Sequence, residues 1–173
     1  MKLNNNLPMR SVIESIREEL IKNSDEKTRI QGERFFKEEV KLYGVKSAAV
    51  SEIGNRYFRL LPDKNRMTVF SFCEEFLKSG LMEESFVACN WSYKVNKQYQ
   101  ISDFRIFEEW INKYVNNWAT CDTLCNHTVG SFIEMYPAFL SELKKWTLSG
   151  NRWVKRASAV SLIVPARKGK FLE

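Results

Sequence analysis

The stretch Asn116-Asn117-Trp118-Ala119-Thr120-Cys121-Asp122 holds the residues best placed to do chemistry. At 100° per residue, Cys121, Leu124, Cys125, Phe132 and Ile133 fall on one buried stripe of a helix, and Trp118 falls on its border. Asp122 lies one turn beyond Trp118, so an indole and a carboxylate project together from the edge of the core. Taken alone, the two also read as a core aromatic and a first-turn acid favoured by the helix dipole. A second stretch, Gly150 to Ser161, sets Trp153, Val154, Ala157, Val160 and Ser161 at core spacing. Arg152, Lys155, Arg156 and Ala159 share another face of it, with Arg152 and Arg156 one turn apart. Cations near a helix N-terminus oppose its dipole. That local cost is easier to understand if they meet a phosphate backbone, although an ordinary basic surface is the plainer reading.

Other chemistries lack their residues. The chain has no G-x-G-x-x-G, no G-x-x-x-x-G-K-[ST], no G-x-S-x-G and no H-E-x-x-H. His127 is the only histidine, which leaves no basis for a His-rich metal site or a His-dependent triad. Cys121, Cys125 and His127 lie close enough to suggest zinc, but no fourth ligand is evident, and a cysteine pair four apart on a helix is commonly core. No metal and no cofactor is therefore expected.

The charge is unevenly placed. Residues 141–173 hold eight basic side chains (Lys144, Lys145, Arg152, Lys155, Arg156, Arg167, Lys168 and Lys170) against Glu142 and Glu173, which accounts for the whole net charge of +6. The remaining 140 residues balance at 19 basic and 19 acidic. A mixed-charge body with one basic end suits a polyanion, DNA or RNA before membrane, or is simply a solvated basic face. No apolar run reaches the ~18 residues of a membrane span, and the N-terminus lacks the apolar run of a signal peptide. A cytoplasmic protein with four reduced thiols is the expectation.

The elements that must hold these residues read as helices. With 173 residues, 44% hydrophobic and 28% charged, the chain is long enough for a core, and its 7 Gly and 4 Pro are too few for an all-β fold. Val12, Ile13, Ile16 and Leu20 predict a first helix over 8–22, with Pro8 at its first position. Ser24 with Asp25 and Glu26 predicts a second that stops at Gly44. Further starts are predicted near 47, 63, 81, 102, 118, 138 and 151, with the last helix running to Val164. Two helices recur about every 35–40 residues, the rhythm of HEAT-type pairs. The expected fold is all-α, a HEAT-like α-α superhelix of helix pairs forming a single domain over 1–173, with a compact bundle as the structural alternative.

Three segments together resemble the HEAT-repeat DNA alkylation repair family, the AlkD-type alkylpurine DNA glycosylases. Gln31-Gly32-Glu33-Arg34-Phe35-Phe36-Lys37 through Tyr43-Gly44-Val45-Lys46 is similar to the family's N-terminal helix and its Tyr-Gly-Val/Ile stop. Trp118-Ala119-Thr120-Cys121-Asp122 is similar to its central W-x-x-x-D, and Arg152-Trp153-Val154-Lys155-Arg156-Ala157 to its W-[VL]-x-R-[AS] segment. The resemblance implies that Trp118 packs against the deoxyribose of a damaged nucleotide. It makes Asp122 the acid that stabilises the oxocarbenium-like sugar and orients water, and Arg156 the cation on the nearby phosphate. Arg152, Lys155, Lys46 and Lys144 are the further expected DNA contacts. The implied partner is duplex DNA containing alkylated bases, bound by a monomer. The family also uses an aromatic from a later helix pair; this chain reaches Phe171-Leu172-Glu173 first, which reads as the opening of a helix cut short. Asn117 stands where some relatives have an aromatic.

Three functions follow from this reading: hydrolysis of the N-glycosidic bond of cationic N3- or N7-alkylpurines, non-catalytic binding of branched or distorted DNA, and a HEAT-type protein scaffold. Base release separates the first two. Binding that ignores salt would mark the third.

Overall fold

Val12, Ile13, Ile16 and Leu20 are all buried, which seats the first helix, α1 (Met9–Lys22), on the core through the predicted stripe. The computed structural model describes residues 9–172, and Pro8 lies outside them. The described residues form two compact units, the first up to Val95 and the second from Asn96. Regular structure among them is helical, apart from one isolated bridge between Lys41 and Leu81, so the all-α expectation holds.

The first unit also contains α2 (Glu26–Phe35), α3 (Ser47–Leu60), α4 (Arg66–Lys78) and α5 (Met82–Lys94). Trp91 is fully buried at its centre, with Phe58, Phe72 and Phe76 edge-on at 5.5, 5.5 and 5.6 Å. Its indole N–H donates to the Gly54 carbonyl at 2.9 Å. A side chain at Gly54 would stand between α3 and α5, because the position of its Cβ is 3.5 Å from Val87.

The second helix corrects the sequence reading. It is capped by Asp25, which accepts from the Thr28 N–H at 2.8 Å, and it ends at Phe35 rather than running to Gly44. None of its residues is buried, so little tertiary packing supports its extension. The following segment is held in another way. Glu83, only 3% exposed at the start of α5, accepts from the N–H groups of Tyr43, Gly44 and Val45 at 3.1, 2.8 and 3.0 Å. Its neighbour Glu84, fully buried, takes both Arg17 Nε and Nη2 at 3.0 and 2.9 Å and the Tyr43 hydroxyl at 2.7 Å. Burial and this carboxylate push the Tyr43 phenol well up, so it remains a donor. Gly44 is a joint rather than a helix stop. Its φ is +87°, and a Cβ there would lie 2.5 Å from the Asp25 carbonyl oxygen.

The second unit contains α6 (Asp103–Tyr114), α7 (Trp118–Leu124), α8 (Gly130–Met135), α9 (Leu140–Trp146), α10 (Arg152–Val160) and α11 (Ile163–Arg167). A π-helical turn, Cys125–Val129, joins α7 to α8, so the single predicted helix survives with one wide turn inside it. Phe104, Phe107 and Phe132 are buried among Tyr99, Phe139 and Trp146, with Phe104 stacked on Trp146 at 5.1 Å. Helix α10 packs on α6, α7 and α9. The predicted last helix is broken after Val160 and restarts at Ile163, which puts Pro165 in a first turn, where its missing N–H is tolerated. Phe171, expected to open a further helix, instead has a left-handed φ of 58°, and Glu173 lies outside the described residues.

Candidate functional site

Two buried or half-buried asparagines start the helices that matter. Asn117, 3% exposed, accepts from the Thr120 N–H at 2.9 Å, so α7 begins at Trp118. Asn151 accepts from the Trp153 N–H at 2.9 Å and starts α10 at Arg152. Cys121, Leu124 and Cys125 have no exposed surface and turn one side of α7 inward. The Cys121 thiol donates to the Trp153 carbonyl at 3.5 Å, which ties the first turn of α7 to the first turn of α10. Val154, Ala157 and Val160 bury the inner side of α10.

The outer sides of these two helices carry the candidate residues. Trp118 is 36% exposed, in keeping with its place on the border of the stripe. Asp122 follows one turn later, with its side chain 25% exposed. Arg156 reaches it across 34 residues of chain: Nε donates to Oδ1 at 2.6 Å and Nη2 to Oδ2 at 2.7 Å. This is a side-on, bidentate ion pair. The hydrogen bond to Asp122 raises the Arg156 pKa further, against the smaller effect of burial. A pair this exposed adds at most about 1 kcal/mol to stability.

Among the remaining candidates, Arg152 is one turn before Arg156 on α10, and its guanidinium sits over the Trp153 ring at 4.3 Å. That cation–π contact offsets part of the cost of a cation at a helix N-terminus. Lys155 is exposed on the same helix. Lys144 belongs to α9 and lines an open groove of about 730 Å³ with Leu140, Leu143, Leu162 and Phe171, apart from the pair. Lys46 lies in the first unit, exposed, at the N-cap of α3. The structure thus joins Asp122 to Arg156 directly, with Trp118 one turn before Asp122 on α7 and Arg152 and Lys155 on the same helix as Arg156.

Other cations of the basic end are engaged. Lys145 pairs with Glu142 at 2.7 Å, and Lys168 and Lys170 both grip Glu134, at 2.7 and 2.8 Å. Burial opposes ionisation of Glu134, but the two lysines outweigh it and hold its carboxyl below the ordinary range. Cys121 and Cys125 are core residues while His127 is exposed, and no metal-binding group of three or more His, Cys, Asp or Glu occurs among the described residues. No described helix is long and apolar enough to cross a membrane. The Asp122–Arg156 pairing was not visible in the sequence, since it depends on how α7 and α10 pack.

A search of curated proteins finds no significant match. The family model for the DNA alkylation repair enzyme matches residues 16–173, which includes both helices of the site and the Tyr43-Gly44-Val45 joint. The chain belongs to the DNA alkylation repair enzyme family.

Proposed function

We propose that this chain is a DNA glycosylase that hydrolyses the N-glycosidic bond of cationic N3- or N7-alkylpurines in duplex DNA. The observation that carries the reading is the grouping of a half-exposed indole, a carboxylate and a guanidinium on α7 and α10. A purine alkylated at N3 or N7 is already positively charged and leaves without a strong general acid. As the C1′–N bond breaks, positive charge grows on the sugar. Trp118 supplies a flat surface against the deoxyribose, and Asp122 faces the developing cation and orients the water that attacks C1′. One well-placed charge of this kind is worth ~3–4 kcal/mol by analogy with oxyanion-hole donors. Arg156 meets the adjacent phosphate, with Arg152, Lys155, Lys144 and Lys46 as further backbone contacts.

A second reading has one observation in its favour. Both oxygens of Asp122 are engaged by Arg156, as they would be in a DNA-binding protein that retained the pair for shape alone. Incubation with methylated duplex DNA separates the two. The glycosylase releases free 3-methyladenine or 7-methylguanine and leaves neutral adducts largely in place, because the grouping offers no acid to protonate a departing neutral base. Binding without release of either base would establish the second reading, and equal excision of neutral and cationic adducts would refute the mechanism.

A further inference from the structure

The ion pair uses only part of the Arg156 side chain. A guanidinium carries five N–H bonds in one plane. Asp122 takes the one on Nε and one of the two on Nη2. The second Nη2 hydrogen and both Nη1 hydrogens make no hydrogen bond among the described residues. The side chain is 42% exposed, so part of it stays in solvent beside the pair. Each Asp122 oxygen likewise retains a lone pair beyond the one that Arg156 occupies.

We infer that Arg156 is a positioning residue that bridges Asp122 and the DNA backbone at the same time. Its Nε/Nη2 edge keeps hold of the carboxylate while its Nη1/Nη2 edge takes the oxygens of one phosphodiester. The inference rests on the DNA reading above and adds the order of events: docking does not break the pair. The alternative, exchange of the carboxylate for the phosphate, would leave Asp122 unpartnered beside a second anion. Bridging avoids that repulsion because the guanidinium has donors that Asp122 does not use. It also means that the phosphate, through Arg156, sets where Asp122 stands relative to the sugar. A lysine has one ammonium and no planar fork, so it supplies the charge without the two edges.

The bridge is tested on the full chain with undamaged duplex DNA, so that no catalysis is needed. The Nε–H resonance of Arg156 is assigned by its loss in Arg156→Lys, and Asp122→Asn supplies its unpaired position. On adding DNA, the bridge predicts that Nε–H stays at the paired position while the Nη1 signals shift and exchange more slowly. Movement of Nε–H to the Asp122→Asn position would establish exchange and overturn the proposal. DNA binding that leaves the whole guanidinium unchanged would overturn it too, and absence of DNA binding would overturn it together with the DNA reading. With an active enzyme, Arg156→Lys should slow single-turnover base release at least ~10-fold while affinity stays within ~3-fold, and it should cost nothing more in an Asp122→Asn background. Equal effects in both backgrounds would count against the bridge. Absence of base release in the unmodified protein would refute the glycosylase reading and leave the resonance test standing.

Discussion

Trp118 separates packing from chemistry because it is neither buried nor free. Its border position follows from helical periodicity, since Cys121, Leu124 and Cys125 take the inside of α7. At 36% exposure, truncation should cost the fold less than the ~3–5 kcal/mol of a buried tryptophan. We expect Trp118→Ala to lower stability by under ~2 kcal/mol in denaturant titration while slowing base release at least ~10-fold. A large stability loss with an unchanged rate would assign the indole to the core. The same periodicity put Arg156 on the outer side of α10 but said nothing of its partner. A contact between residues 34 apart is decided by the packing of two helices, and neither segment carries that information alone.

At the scale of elements, the contrast between α2 and α10 shows which local signals can be trusted. Helix α10 has an asparagine cap and a buried stripe of Val154, Ala157 and Val160, and it begins where the sequence places it. Helix α2 has a cap and an acidic first turn but no buried residue, and it stops nine residues before the glycine taken as its end. What overrides its propensity is distant in sequence, the Glu83 carboxylate that gathers three backbone N–H groups from Tyr43 to Val45. The Tyr-Gly-Val signature is therefore a folding device, with Gly44 supplying the left-handed turn. Glu83→Gln keeps the size but sets an amide N–H₂ against backbone donors. It should cost at least ~2 kcal/mol in denaturant titration. An unchanged midpoint would show that the joint is held by other contacts.

For the whole molecule, the excess charge at the C-terminal end was legible, but its availability was not. Lys145, Lys168 and Lys170 are occupied by carboxylates, which a residue count along the chain cannot reveal. Apart from Arg167, the other cations of that end are Lys144, Arg152, Lys155 and Arg156, the second unit's four candidate phosphate contacts. If these four each neutralise one phosphate, affinity for duplex DNA should fall ~150-fold between 50 and 200 mM salt. Affinity that ignores salt would contradict that count and favour a protein partner. The central claim is that a carboxylate at residue 122 faces the sugar cation, and it is tested most directly by single-turnover release of 7-methylguanine from methylated duplex DNA. Asp122→Asn retains the shape of the side chain and removes its charge. The account predicts a rate at least ~10²-fold below that of the unmodified protein with DNA affinity unchanged, and equal rates for the two proteins would contradict it.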